Sequence, residues 1–264
     1  MFEERGLSAT ALNNFLECPW RYFYMNLLRI PRAENRHQIY GKAIHGALKR
    51  FFDVLRNREV GEEYVVKVFE EELSRAFLKE KDYRDTKERG SAMLKNYIAH
   101  YKGIWTKNTL NEYRINSVML PFAGRTLKLT GSLDKIEYIG RAEVNVVDYK
   151  TGKPKSRNEL EGNTKYADGN YKRQLVFYKL LLDEYPLFRD TMISGEIDFL
   201  EADTKGVFHK EKFVIEKQEV LELKNQLEEV SNSIRNLSFW NEGCSEKECE
   251  FCRLREAVSG RVST

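Results

Sequence analysis

A chain of 264 residues is long enough to bury a substantial core, and 41% hydrophobic with 32% charged residues is the composition of a folded protein rather than a disordered one. The 44 Lys and Arg nearly balance 41 Asp and Glu, leaving a formal net charge of +3, so a polyanionic partner would have to be held by local clusters of charge. No apolar run nears the roughly 20 residues that cross a bilayer, and the opening MFEERGLSAT has no apolar leader core, which predicts an intracellular, cytoplasmic protein with no membrane partner.

In chain order, Ser8 is placed to cap a helix over about 9–16, and Pro19 suits the start of a short helix over 20–27. HQIYGKAIHGALKRFFDVL carries Ile39, Ile44, Ala47, Leu48, Phe51 and Leu55 at helical spacing. Two more helices are expected at about 62–79 and 86–107, so residues 1–110 read as mainly helical. The periodicity then drops to two: 112–122, 125–139 and 143–150 read as strands, with Gly140 and Arg141 at the turn between the last two. The VNVV run marks a strand covered on both faces. The polar stretch 153–169 reads as a mobile loop, 171–185 as an amphipathic helix, 191–202 and 206–214 as a strand pair, and 216–236 as a long helix. The expected class is α/β (α+β), a mixed sheet flanked by helices. One domain is expected over 1–264: a helical part (1–110), a sheet core (111–215), and a C-terminal helix with a cysteine cluster (216–264).

The chemistry concentrates in LTGSLDKIEYIGRAEVNVVDYKTGKPK. Residues i and i+2 of a strand share a face, so Asp148 and Lys150 project together, and the hairpin can bring Asp134 beside them. Two carboxylates and an ammonium on one face suit a divalent cation, Mg²⁺ or Mn²⁺, with the lysine orienting an attacking water or stabilising charge on a phosphate. A D-x-K triplet alone has little specificity and is more often a solvated strand face; its position after VNVV is what lifts it. His45, in Gly41-x3-His45, is an acceptable Mn²⁺ ligand, although a lone helical histidine is more often an ordinary core or surface residue. Gly41, one turn earlier, leaves room beside it. Gln174 and Tyr178 share a helix face by their i, i+4 spacing, which also fits a surface Gln and a half-buried Tyr.

The four cysteines are Cys18 and, more than 220 residues later, Cys244, Cys249 and Cys252 in a C-x4-C-x2-C cluster. Four thiolates are the number a tetrahedral zinc or an iron–sulfur cluster requires; the alternative is a buried helix cysteine and an unrelated local trio.

CPWRYFY, GKAIH, GSLDKIE, VVDYKTG and QLVFY, in this order and spanning nearly the whole chain, resemble the RecB-like branch of the PD-(D/E)XK nuclease superfamily. The resemblance implies a restriction-endonuclease-like core. It implies that His45, Asp134 and Asp148, with the backbone carbonyl of Tyr149, hold the divalent metal, that Lys150 is the catalytic lysine, and that Gln174 and Tyr178 support the site and contact DNA. One N-terminal and three C-terminal cysteines match the AddB-type relatives, in which a 4Fe–4S cluster staples the two ends. In those relatives the close pair precedes the lone cysteine; here lone Cys244 comes first, which leaves zinc open. The implied activity is metal-dependent hydrolysis of DNA, with an exonuclease on single-stranded ends in recombination and repair as the expectation. Lys153, Lys155, Arg157, Lys172 and Arg173 would hold the strand, and Tyr166 and Tyr171 would stack on bases; each alone is as readily a surface charge or a loop anchor. A superfamily 1 helicase, in the same chain or beside it, is the implied partner. The rival reading is a catalytically silent DNA-binding scaffold beside a helicase, and a third is a zinc-stabilised interaction domain.

Overall fold

The computed structural model describes residues 1–122 and 124–258. Helices α1 (Phe2–Arg5), α2 (Ala9–Glu17) and α3 (Pro19–Tyr22) open the chain, and α3 runs into a π-helical turn at Phe23–Leu28. Ser8 caps α2 by accepting from the Ala11 amide, and Pro19 occupies the first turn of α3, where its missing N–H would have had no partner. Helix α4 (Arg36–Leu55) begins with a reciprocal capping box between Asn35 and Gln38.

Helices α5 (Glu62–Leu73) and α6 (Glu80–Tyr101) fall where helices were expected, with different ends. The first was expected to run to 79. It stops because the Arg75 and Ala76 amides fold back onto the Glu72 and Leu73 carbonyls, while the Ser74 hydroxyl bonds the Glu71 carbonyl. The second starts at 80 rather than 86 and ends before 107, where Gly103 takes a left-handed φ of +81° that glycine adopts without strain.

Strands β1 (Thr109–Phe122), β2 (Arg125–Tyr138), β3 (Glu143–Lys150), β4 (Thr191–Phe199) and β5 (Lys210–Phe213) lie side by side in that order. All neighbours are antiparallel except β3 and β4, which are parallel. A parallel step needs a long crossover, and it is supplied by α7 (Arg157–Glu161) and α8 (Asn170–Asp183). The stretch 153–169 is therefore not the featureless loop expected: Ser156 and Glu159 form a capping box, and Leu160 is fully buried. The pair expected over 191–202 and 206–214 is shorter, because the Asp203 carboxylate takes the Lys205 and Val207 amides and closes a turn. Helices α9 (Lys217–Asn236) and α10 (Glu250–Val258) complete the described residues, and the mixed sheet flanked by helices is the predicted class.

The apolar side chains form two clusters, one on either side of β3. Val144 and Val146 join α2, α8 and α9; Val147 and Tyr149 join α4, α5 and α6. That explains why this strand is apolar without alternation. The second side also buries charge. Lys135, 2% exposed, has its ammonium 3.7 Å from the Phe52 ring centre and 2.7 Å from Glu137. Asp198 accepts from the Tyr97 hydroxyl at 2.5 Å and pairs with Lys210 at 2.7 Å.

Candidate active site

Strands β2 and β3 pair from Tyr138 with Val144 up to Lys135 with Val147, and there the ladder stops. One step further the strands part, and the Tyr149 amide donates to the Asp134 carboxylate at 2.8 Å instead of to a neighbouring backbone. Asp134 is thus fixed by the strand it faces. Asp148, the position across from it, is 2% exposed.

Asp148, Lys150, Gln174 and Tyr178 form a closed circuit. The Lys150 ammonium lies 2.6 Å from Asp148 Oδ2 and donates to Gln174 Oε1 at 3.0 Å. Gln174 Nε2 donates to the Tyr178 hydroxyl at 2.6 Å, and that hydroxyl donates to Asp148 Oδ1 at 3.2 Å. The i, i+4 spacing on α8 puts Gln174 and Tyr178 on one helix face, and the fold brings that face to Lys150 and Asp148 at the end of β3. Burial pushes the Asp148 carboxyl up, opposed by Lys150 and reinforced by Asp134. Burial by itself would lower Lys150, but Asp148 outweighs it and holds the ammonium charged, above its ordinary value. The Tyr178 phenol is held well above its ordinary value, first by burial and then by the two aspartates, so it stays a donor.

His45, on α4, reaches the same place from the other side of the sheet. Its Nδ1 is 3.3 Å from Asp134 Oδ1 and 3.7 Å from Glu112 Oε1. Burial alone would lower its pKa, but Asp134, Glu112 and Asp148 override that and hold it up to about 10. In the metal-free chain the ring is an imidazolium between two carboxylates, and it must release that proton to bind a cation.

Glu112 was not anticipated as a site residue; the sequence reading made it only the first residue of a strand. In the register on either side of it, Asn111 faces Lys135 and Tyr113 faces Leu133, so Glu112 is the position across from Asp134. Its backbone has φ +50°, a left-handed conformation rare for a residue with a side chain. Glu112, Asp134 and Asp148 therefore stand in a row across three adjacent strands. Like charges directly opposite each other destabilise a sheet unless a cation lies between them.

The donors fit a divalent metal. One ligand atom each from His45, Glu112 and Asp134 lies within 4.8 Å of the others. Asp148 Oδ2 is buried, and apart from the lysine ion pair no hydrogen bond is directed at it, which leaves a lone pair free for a cation. Carboxylate oxygens with one imidazole suit Mn²⁺ and Mg²⁺. Two open clefts, of about 480 and 610 Å³, meet at Asp134 and Arg114. Gly41 lines the larger one, and a side-chain carbon added there would meet only the Thr151 hydroxyl at 3.8 Å, so the glycine keeps the cleft open and relieves no clash within the fold.

The basic and aromatic residues singled out for DNA divide into two groups. Arg157 pairs with Glu161 at 3.2 Å, donates to the Lys212 carbonyl and stacks over Phe213; Lys172 pairs with Glu219 at 2.6 Å; Arg173 donates to Asn13 at 2.7 Å and to the Asp168 carbonyl. These three are engaged by the fold. Lys153 and Lys155 are exposed, Tyr166 is 91% exposed, and Tyr171 lies under the Lys150 and Lys155 ammonium groups at 4.8 and 4.7 Å.

The four cysteines, from opposite ends of the sequence, meet away from this site. Cys18 lies 3.7 Å from both Cys252 and Cys249, Cys244 lies 3.7 Å from Cys252, and all four sulfurs fall within 4.8 Å of one another, none in a disulfide. Around them, Trp20 Nε1 and Arg255 each donate to the Glu242 carbonyl at 2.9 Å, and Arg32 grips Glu250 through two bonds of 2.8 and 3.0 Å.

The backbone arrangement has a solved counterpart. A protein from Eubacterium rectale described as a "Putative exonuclease" superposes with a TM-score of 0.55 over 96% of this chain and 88% of its own, at 12% sequence identity, which establishes a shared fold. A second structure, SSO0001, gives a TM-score of 0.33 at 13% identity over 76% of this chain and 88% of that one. No curated protein matches. The sequence profile of the PD-(D/E)XK nuclease superfamily matches residues 6–257, and the chain belongs to that superfamily.

Proposed function

We propose that this protein is a divalent-metal-dependent deoxyribonuclease of the RecB-like branch, acting as an exonuclease on DNA ends. The observation that carries the reading is the closed circuit of Asp148, Lys150, Gln174 and Tyr178 beside Asp134 at the point where β2 and β3 part. His45, Asp134, Asp148 and the Tyr149 carbonyl would hold the metal, with Glu112 within reach of the same centre. A bound divalent ion would supply Lewis acidity toward a water and a phosphate oxygen.

The chain's own groups would do the rest. Lys150, kept charged by Asp148, is a donor aimed at charge developing on the phosphate. Gln174 restrains its ammonium, and Tyr178 fixes the Asp148 carboxylate so that its second oxygen stays available. Exposed Lys153, Lys155 (over the Tyr171 ring) and Tyr166 would follow a nucleic-acid strand; Arg157, Lys172 and Arg173 would serve it only by leaving their present partners. The exonuclease assignment is supported by the description of the Eubacterium rectale structure, and a role in recombination beside a helicase by the resemblance of the opening RGLSATALNNFLECPWRYFYMNLLRI to the junction after helicase domains.

The test is cleavage of end-labelled single- and double-stranded DNA with Mg²⁺, Mn²⁺ or EDTA, beside Asp148→Ala and Lys150→Ala. Metal-dependent release of label from the wild type, falling by about 100- to 10,000-fold in the folded Lys150→Ala variant, is expected. Salt-sensitive DNA binding without cleavage by any of the three proteins would replace this reading with the silent scaffold.

A further inference from the structure

The resemblance implies a 4Fe–4S cluster at the four cysteines, but the sulfur spacing disagrees with it. We infer that Cys18, Cys244, Cys249 and Cys252 hold one tetrahedral zinc ion. Four thiolates about 2.3 Å from a single zinc stand at the corners of a tetrahedron with edges of about 3.8 Å. Three of the sulfur pairs here are 3.7 Å apart, and the whole set is contained within 4.8 Å. In a four-iron cluster each thiolate binds its own iron at a different corner of a cube, so the sulfurs are spread well beyond that edge.

The close approach is not a loose meeting of two chain ends. Helix α10 is tied to α3 through the Glu242 carbonyl, which accepts from both Trp20 and Arg255, and to the segment after the π-helical turn by the exposed Arg32–Glu250 fork. Widening the sulfurs to enclose a cube would pull on all three. The separations in Cys244-x4-Cys249 and Cys249-x2-Cys252 are found among structural zinc ligands and among iron–sulfur ligands alike, so the sulfur distances decide between them. Cys18 is buried and all four sulfurs converge, so no open coordination position is left for chemistry. The site is therefore closed and structural.

This inference does not rest on the nuclease reading, and its test does not use cleavage. The full-length protein is produced with both iron and zinc supplied and purified without oxygen, and its metal, labile sulfide and visible spectrum are measured. About one zinc per chain is expected, with no labile sulfide and no visible colour. Replacement by Co²⁺ should give the strong visible bands of a tetrahedral thiolate site. Cys249→Ser should lose the zinc while the His45→Ala variant keeps it. Four irons with sulfide and a brown protein would overturn the inference, as would a metal-free chain or zinc retained in Cys249→Ser. The wild-type measurements decide the matter even if that variant does not fold.

Discussion

Glu112 sits at φ +50° in a strand with its carboxylate accepting from the Ser132 hydroxyl at 3.3 Å, and such strain persists only where the surroundings impose it. What it gains is a carboxylate across from Asp134 and 3.7 Å from the His45 ring. Glu112→Gln should therefore weaken Mn²⁺ binding by about 10- to 100-fold, the range for residues that orient or supplement metal ligands. The metal-free protein should change little in stability, because relief of the repulsion with Asp134 is offset by loss of the ion pair with His45. Titration calorimetry with Mn²⁺ and a thermal melt in EDTA measure both, and unchanged affinity would remove Glu112 from the site. Asp148→Ala strands the Lys150 ammonium and the Tyr178 hydroxyl, and Asp134→Ala orphans the Tyr149 amide, so either variant needs a folding control beside the cleavage assay. That Asp148 and Lys150 share a face was legible from the two-residue period of one strand, and that Gln174 and Tyr178 do from one helical turn, whereas a role for the latter pair came only from the family resemblance. Glu112 was not legible, because its meaning comes from register across β1 and β2, and a strand-terminal Glu looks like any solvated charge.

The sheet's second side carries its own buried charges, and they set a pH dependence. Glu137 is half-buried, and Lys135 together with Asn145 outweighs the cost of that burial, holding its carboxyl below the usual 4.5. A depressed folded pKa contributes stability that is fully present above the unfolded value and disappears as pH falls through the folded one. Glu137→Gln should therefore be clearly less stable than wild type near neutrality, by about 3–5 kcal/mol since it strands the Lys135 ammonium. The gap should close below about pH 4.5 as wild-type Glu137 takes up its proton. Thermal midpoints of both proteins from pH 7 to 3 test this, and a gap that does not change with pH would show that the charge contributes nothing. At this scale the sequence carried β3 to its ends, since VNVV and its flanking turn leave little choice. The ends of α5 and α6 were not readable: Ser74 ends one by a side-chain bond that a pattern of apolar residues does not encode. Nor was α7, whose five residues are held by the Ser156 cap and the burial of Leu160 rather than by periodicity.

Across the whole molecule, the cysteine site joins segments separated by 226 residues from Cys18 to Cys244. In a chain-entropy account, a crosslink closing a loop of that size is worth about 5 kcal/mol at most. Cys249→Ala should lower the thermal midpoint and free α10 for protease cleavage, while the side chains around Asp148, all on other elements, keep their arrangement. Limited proteolysis beside Mn²⁺ titration separates the two effects, and wild-type stability in the variant would deny the site its structural role.

The separation of those ligands also orders events during synthesis. Every side chain named in the acidic site has been made once Tyr178 is added, whereas the first of Cys18's three partners comes 66 residues later. At about 5–20 residues per second, the Cys18 thiol waits on the order of ten to forty-five seconds after its own synthesis before Cys244 exists. The N-terminal helices thus fold without their clasp, and metal capture at the cysteines would be a late, sealing step in the protein's maturation.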